Sequence, residues 1–207
     1  MNKEKMARFH SDNILDEADK LFSKYGFEKT TIEMIAKNSQ YTKPTIYAYF
    51  ESKEEIYASN LYRHMLKFKD NFEEILSLDL PAKEIYLKCC HEVLNFKENH
   101  MVYFMGIIGN VDYKNKQLGA DSAFAIGELS NTINSKVCKV FDKATKEGLI
   151  PKDTDIAFSY AYIWSCVIGL ITSFKFDKSN FKSLEEYKNT MDKCFLMVVE
   201  VFFNANK

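Results

Sequence analysis

The sequence predicts an all-α fold, with an N-terminal three-helix head and a helical body behind it, about nine helices in all. Three observations support this. The 207 residues contain only 3 Pro and 7 Gly, too few for the many turns of a sheet-rich chain. Apolar residues recur at spacings of three and four, the helical repeat. No segment alternates apolar and polar residues over a convincing length. A 46% hydrophobic content supplies a core, and 28% charged residues cover it.

The elements follow in order. Ile14, Leu15, Ala18, Leu21, Phe22 and Tyr25 make one apolar helical face. Gly26 sits where a helix C-cap belongs, since Gly tolerates the left-handed backbone. Thr30 and Thr31 are N-cap residues, and Thr30 with Glu33 has the spacing of a capping box. A short helix follows, with Ile32, Ile35 and Ala36 inward, and it fades at Asn38-Ser39-Gln40. Thr42 caps a third short helix, Pro44 is tolerated in its first turn, and Ile46 and Phe50 face inward. Ser52 caps a fourth helix that carries Ile56, Leu61 and Leu66 to about Phe72. Five more helices are predicted near 82–97, 100–110, 117–147, 154–174 and 185–204, punctuated by Pro81, Gly148 to Pro151, and 175–183. No flexible tether separates the head, residues 1–53, from the body, residues 54–207.

Global charge names no partner. The net charge is −1, and residues 1–55 carry nine Lys/Arg against ten Asp/Glu. Nucleic-acid contact must therefore come from local placement of charge rather than a basic domain. Five scattered cysteines, Cys89, Cys90, Cys138, Cys166 and Cys194, read as free thiols of a reducing cytosol. The N-terminus lacks the apolar run of a signal peptide. Residues 156–174 carry no charge over 19 positions, near the length of a membrane span. Their Ser, Thr and Tyr content points instead to a helix buried in protein on most sides. A cytoplasmic chain without a membrane partner is expected.

The head has the plan of a helix-turn-helix, whose third element lies in the major groove and presents its N-terminal residues to base edges. Lys43 can donate to guanine or phosphate, and Thr45 can bond a base edge or meet a thymine methyl. The hydroxyls of Thr31, Thr42, Tyr47 and Tyr49 suit phosphate oxygens. Lys53 opens a helix, an unfavourable place for a cation, and a bound phosphate would resolve that conflict.

The stretch from Ile14 to Tyr57 strongly resembles the DNA-binding head of the TetR (tetracycline repressor-like) family. The matching pieces are Leu21-Phe22, Tyr25-Gly26-Phe27, Thr30-Thr31-Ile32, Ile35-Ala36, Thr42 to Phe50, and Ser52 to Glu55. The resemblance implies that Lys43, Pro44, Thr45 and Ala48 face bases, and that Thr31, Thr42, Tyr47, Tyr49 and Lys53 face phosphates. Tyr47 and Tyr49 packing within the head is the alternative. The chain departs from the family in its turn, where Gln40-Tyr41 replaces Gly-Val. Gln40 then adopts a left-handed conformation at a cost on the order of 1 kcal/mol, and Tyr41 takes the place of the buried Val.

A single head reads one half-site, and paired heads read two, about 34–36 Å apart on a pseudo-palindromic operator in double-stranded DNA. The resemblance implies a homodimer joined by the last two helices. Independently, Ala157, Ala161, Ser165 and Gly169 recur every four residues, a row that lets helices approach closely. The ninth helix offers an apolar stripe with Met191, Phe195, Val198 and Phe202 for the same interface. The family's effector pocket lies among helices four to eight. Candidate liners there are His64, Phe68, Tyr86, Cys90, Tyr103, Phe104, Ile107, Phe124 and Trp164, though each taken singly reads first as plain core. Such a lining suits a flat, apolar, aromatic or cationic effector. The expected function is a ligand-responsive transcriptional regulator, in the family's usual mode a repressor released from its operator by a small molecule.

Catalytic and metal readings fail on spacing. Cys89-Cys90-His91 are consecutive in a helix and point in different directions, without the gap of a zinc site. No phosphate loop, nucleophile elbow or His-Glu-x-x-His run is present. No enzyme activity, cofactor or metal is expected.

Overall fold

The computed structural model describes residues 3–110, 120–174 and 180–205. Among them every regular element is helical, and no strand is present. The head contains α1 (Lys3–Tyr25), α2 (Ile32–Ser39) and α3 (Lys43–Tyr47). Then come α4 (Lys53–Ser77), α5 (Ala82–Asn99) and α6 (Met101–Met105), the last continued by a π-helical turn, Gly106–Asn110. The chain ends with α7 (Ala120–Lys146), α8 (Ile156–Ser173) and α9 (Leu184–Ala205). Residues 117–119 of the predicted seventh helix, and 175–179 of the predicted break, lie outside the described residues. The fourth helix runs five residues past its expected end at Phe72, to Ser77.

Two compact units form. One combines Met1–Lys67 with Glu98–Ser130, the other Phe68–Lys97 with Asn131–Lys207.

In the first unit, α1 buries Ile14, Leu15, Ala18, Leu21 and Phe22, the stripe its periodicity predicts. Gly26 ends that helix at φ 80°, donating its N–H to Phe22 O at 2.9 Å. The expected capping box does not form. Thr30 is fully buried and its hydroxyl donates to Gly26 O at 2.8 Å, so it stitches the turn instead. Thr31 caps α2 by accepting from Met34 N at 3.3 Å. At the other end Gln40 takes the left-handed conformation, φ 62° and ψ 31°. This lets Tyr41 N reach Ala36 O at 2.9 Å and satisfy an end carbonyl. Thr42 caps α3 through Thr45 N, and Ser52 caps α4 through Glu55 N at 3.1 Å. Ile46 and Phe50 are buried, so the opposite face of α3 stays outside.

The second unit uses charged side chains as caps. Glu147 accepts from Ala82 N at 2.9 Å and closes the start of α5. Asp155 accepts from Phe158 N at 3.0 Å and opens α8. The buried ammonium of Lys97 donates to Phe174 O at 2.8 Å, and to Ile171 O, at the C-terminal end of α8. A cation at that end meets the orphan carbonyls and the negative pole of the helix.

Candidate nucleic-acid interface and body cavity

With Ile46 and Phe50 turned inward, α3 presents Lys43, Pro44 and Ala48 to solvent. Thr45 beside them is half-buried, its hydroxyl 2.9 Å from that of Thr42. Thr31 and Thr42 are exposed, and Tyr47 leaves 54% of its surface open. Tyr49 is half-buried, its ring 6.2 Å from that of His10. Lys53 is also half-buried. Its ammonium donates to Phe27 O at 3.0 Å and stands 4.1 Å over the Phe27 ring. The poor fit of a cation at a helix start is thus already met by a carbonyl and a π-face.

Three features were not read from the sequence. The first is an ion pair between Lys43 and Glu33 of α2, both exposed. The Lys43 bond, with smaller help from backbone and Thr31, holds the Glu33 carboxyl down at about 2. The second is a bond between Tyr41 and His10, Oη to Nδ1 at 2.6 Å. Tyr41 therefore does not simply fill the apolar place of a Val; it is half-buried and tied to α1 through its hydroxyl. The third is a buried polar knot. Asp19 accepts from Tyr103 Oη at 2.7 Å and from His64 Nε2 at 3.0 Å, and the His64 and His100 rings lie 4.1 Å apart. Burial raises the Asp19 pKa, but the His64 and Tyr103 bonds together outweigh it and the net shift is downward. Burial first, and His64 second, lower the His100 pKa. A signal for the knot existed, since Asp19 lies four residues after Leu15 and three before Phe22, inside the apolar stripe of α1.

The second unit holds a cavity of ≈ 50 Å³ walled by α4, α5, α7, α8 and α9. Of the candidate effector contacts, Tyr86, Cys90 and Trp164 line it, together with Phe72, Phe141 and Val199 among others. The remaining candidates lie elsewhere. His64 and Tyr103 belong to the Asp19 knot, and Phe104 is core of the first unit. Phe68 packs on Phe72 and Phe96, Ile107 is half-buried in the π-helical turn, and Phe124 is 71% exposed. Phase explains the sorting. The sequence shows which residues are apolar, but not which helical face meets which neighbour.

The body surface corrects part of the expected interface. Met191, Phe195 and Phe202 are buried within the chain itself, so they cannot be the surface offered to a partner. The apolar stripe of α9 is wider than the chain itself covers, and its outward edge is Met197, 65% exposed, and Val201, with Val198 half-buried between. On α8, Ala157, Ala161, Ser165 and Gly169 are all exposed, flanked by Phe158 and Tyr162. A Cβ placed on Gly169 would meet nothing within 4 Å. Ile156–Ser173 is long and apolar enough to cross a membrane, and only 22% of it is buried inside the chain. The expectation of a helix covered on most sides is therefore not met by this chain alone.

Exposed donors on a capped helix, set on a helix-turn-helix core, define a DNA-binding regulator. Comparison with known proteins agrees. A family model described as bacterial regulatory proteins, tetR family, matches residues 14–59. The biofilm operon icaADBC HTH-type negative transcriptional regulator IcaR of Staphylococcus aureus is 40% identical over 145 residues, 66% of this chain and 74% of that protein. The HTH-type transcriptional repressor NicS of Pseudomonas putida is 32% identical over 164 residues, 74% of this chain and 72% of the relative. The chain belongs to the TetR family of transcriptional regulators. The fold extends beyond the head. A TetR/AcrR regulator from Thermobifida fusca superposes with TM-score 0.70 at 16% identity, covering 91% of this chain and 96% of the other. FadR from Bacillus subtilis, solved in complex with stearoyl-CoA, gives 0.67 at 18% identity, covering 90% and 96%.

Proposed function

We propose that this chain is a ligand-responsive repressor that binds a pseudo-palindromic operator as a homodimer, in the cytoplasm where that DNA lies. Residues 1–53 act as the DNA-binding domain and 54–207 as the ligand-binding and dimerisation domain. The exposed face of α3 carries the reading. Lys43, Pro44, Thr45 and Ala48 meet base edges, while Thr31, Thr42, Tyr47, Tyr49 and Lys53 meet phosphates. Repression is the mode named for the IcaR and NicS relatives.

Dimerisation rests on the uncovered apolar face of α8 and the outer edge of α9. Small residues at four-residue intervals, with Phe158 and Tyr162 beside them, suit a second copy of the same surface. The effector is a small, largely apolar molecule held in the cavity of the second unit. A ligand that prefers the state unable to bind the operator shifts the population away from DNA.

The test is binding to an operator selected from random duplexes. Lys43→Ala should weaken it by about 1–3 kcal/mol and relax specificity at one base position. Tyr47→Phe should weaken it more evenly across sequences. Affinity should fall steeply with salt, as phosphate contacts release counterions. Wild-type affinity in both variants would remove α3 from the interface. Absence of any salt-dependent duplex binding would leave a helical binding protein that does not act on DNA.

A further inference from the structure

The cavity has a chemistry that narrows its ligand. Among the described residues its wall contains no Lys, Arg, His, Asp or Glu. The Cys89 and Cys90 thiols are kept neutral, since burial pushes Cys89 up to about 12 and Cys90 higher still. Tyr160 is already engaged, donating to Asn134 Oδ1 at 2.6 Å. Tyr86 differs from it. Its hydroxyl is buried, reaches no oxygen or nitrogen partner among the described residues, and has only the weakly accepting thiol of Cys90 beside it. Buried polar groups without partners are rare and costly, so such a donor calls for an explanation.

Resting on the reading of this cavity as the effector site, we infer that the effector is a small uncharged molecule, apolar over most of its surface, with one hydrogen-bond acceptor that meets the Tyr86 hydroxyl. Three constraints fix this class. An ionised group entering the cavity would lose its water and find no counter-charge. A molecule with several polar groups would leave most of them unpaired, since the wall offers little besides the Tyr86 hydroxyl, the Trp164 indole N–H and neutral thiols. Size sets the third limit. One water needs about 10–15 Å³ of such space, so ≈ 50 Å³ admits a compact body of single-ring size once the wall adjusts, and not a long chain with a polar head.

The protein carries its own reporter, because Trp164 is the only tryptophan and lines the cavity. Three ring probes of similar size separate the terms: cyclohexanone, methylcyclohexane and cyclohexanecarboxylate. Each is titrated into the full chain and followed by Trp164 emission and calorimetry. Cyclohexanone should bind saturably and shift the emission. Methylcyclohexane should also bind saturably, as a ring of the same size that makes no hydrogen bond. The carboxylate should show no saturable binding at the same concentrations. Tyr86→Phe should weaken cyclohexanone about fivefold, the worth of one hydrogen bond, and leave methylcyclohexane unchanged. The probe series on the unmodified chain stands if that variant does not fold.

Carboxylate binding as tight as that of the ketone overturns the inference, as does an unchanged ketone affinity in a folded Tyr86→Phe. So does the absence of saturable binding by either neutral probe. Operator release, measured in parallel, tests the broader reading separately. Neutral uptake without release leaves the ligand class standing and removes the effector role. Release driven by the anion alone does the reverse.

Discussion

The recognition surface and the body cavity solve opposite problems. Between Thr42 and Lys53 the chain exposes the Thr42 and Tyr47 hydroxyls and the Lys43 ammonium and fully buries only Ile46 and Phe50. The cavity wall, drawn from residues as far apart as Phe72 and Val199, hides almost everything and leaves one hydroxyl without an oxygen or nitrogen partner among the described residues. The first surface works in water on a polyanion, where a few charges placed at the right atoms suffice. The second, on the proposed effector reading, would compete with water for a small molecule by offering a neutral, largely apolar space. A near-neutral chain of a DNA-binding family can therefore carry a local recognition surface without a bulk property that advertises it.

The largest predicted effect comes from the α8 surface proposed to join two recognition heads. Ala161→Arg places a charge in the middle of the exposed small-residue row of α8. The chain should become monomeric at micromolar concentration by analytical ultracentrifugation. Operator affinity should fall about hundredfold or more, because the second half-site loses its tethered partner. Trp164 probe binding should change little. A dimeric variant that still binds the operator normally would mean that α8 faces something other than a second copy.

The Asp19 knot gives the next effect, and it separates the two units by pH. Asp19 has a lowered folded pKa, so its contribution is present above the unfolded value, about 3.9, and disappears as pH falls through the folded one. His100 is also lowered, so the unfolded chain binds its proton first and stability falls as pH drops below about 6.5. Both signs agree: the first unit loses stability on acidification. Asp19→Asn should cost about 2 kcal/mol, from hydrogen bonds to a charged acceptor. That is about 4–8 °C in Tm for a chain of this length. Amide exchange should show the loss in α1 and α6 before α8 and α9. Equal loss in all four helices would tie the two units into one cooperative block.

These two regions also differ in how far the sequence discloses them. Caps at Thr31, Thr42 and Ser52, the inward Ile46 and Phe50 and the left-handed Gln40 follow local rules over a few residues, and each was legible. The small-residue row of α8 was legible for the same reason, as one helix carries it. The cavity was not, because its wall joins five helices and helical phase does not say which faces meet. Only Tyr86, Cys90 and Trp164 were placed in it. Met191, Phe195 and Phe202 failed likewise, since a stripe reads the same whether it packs inside one chain or against another. The Lys43–Glu33 pair needs the angle between α2 and α3, which no spacing encodes.

That pair supplies a smaller effect on the DNA side. Glu33 pairs with the Lys43 ammonium, which the proposed operator contact would have to release, and its carboxylate would repel phosphates bound beside it. Glu33→Gln should raise operator affinity about two- to fivefold, the scale of an exposed ion pair, and steepen the salt dependence. The double variant with Lys43→Ala should show no such gain. A gain that persists without Lys43 would assign the effect to phosphate repulsion alone.

The smallest effect compares one backbone conformation in both regions. Gln40 in the head and Gly148 in the body each hold a left-handed φ at a helix C-terminus, 62° and 70°. Gly148 meets nothing within 4 Å, so side-chain clash does not select it; the backbone does. A side chain in this conformation costs about 1–2 kcal/mol, and a glycine returns about 0.5–1 kcal/mol of that through the freer unfolded chain. Gln40→Gly should therefore stabilise by about 0.5 kcal/mol, and Gly148→Gln should destabilise by a similar amount. The shifts in Tm are about 1–2 °C, of opposite sign. If Gln40→Gly instead lowers Tm, then Gln40 is retained for more than its backbone, and its side chain would be the next group to test against the operator.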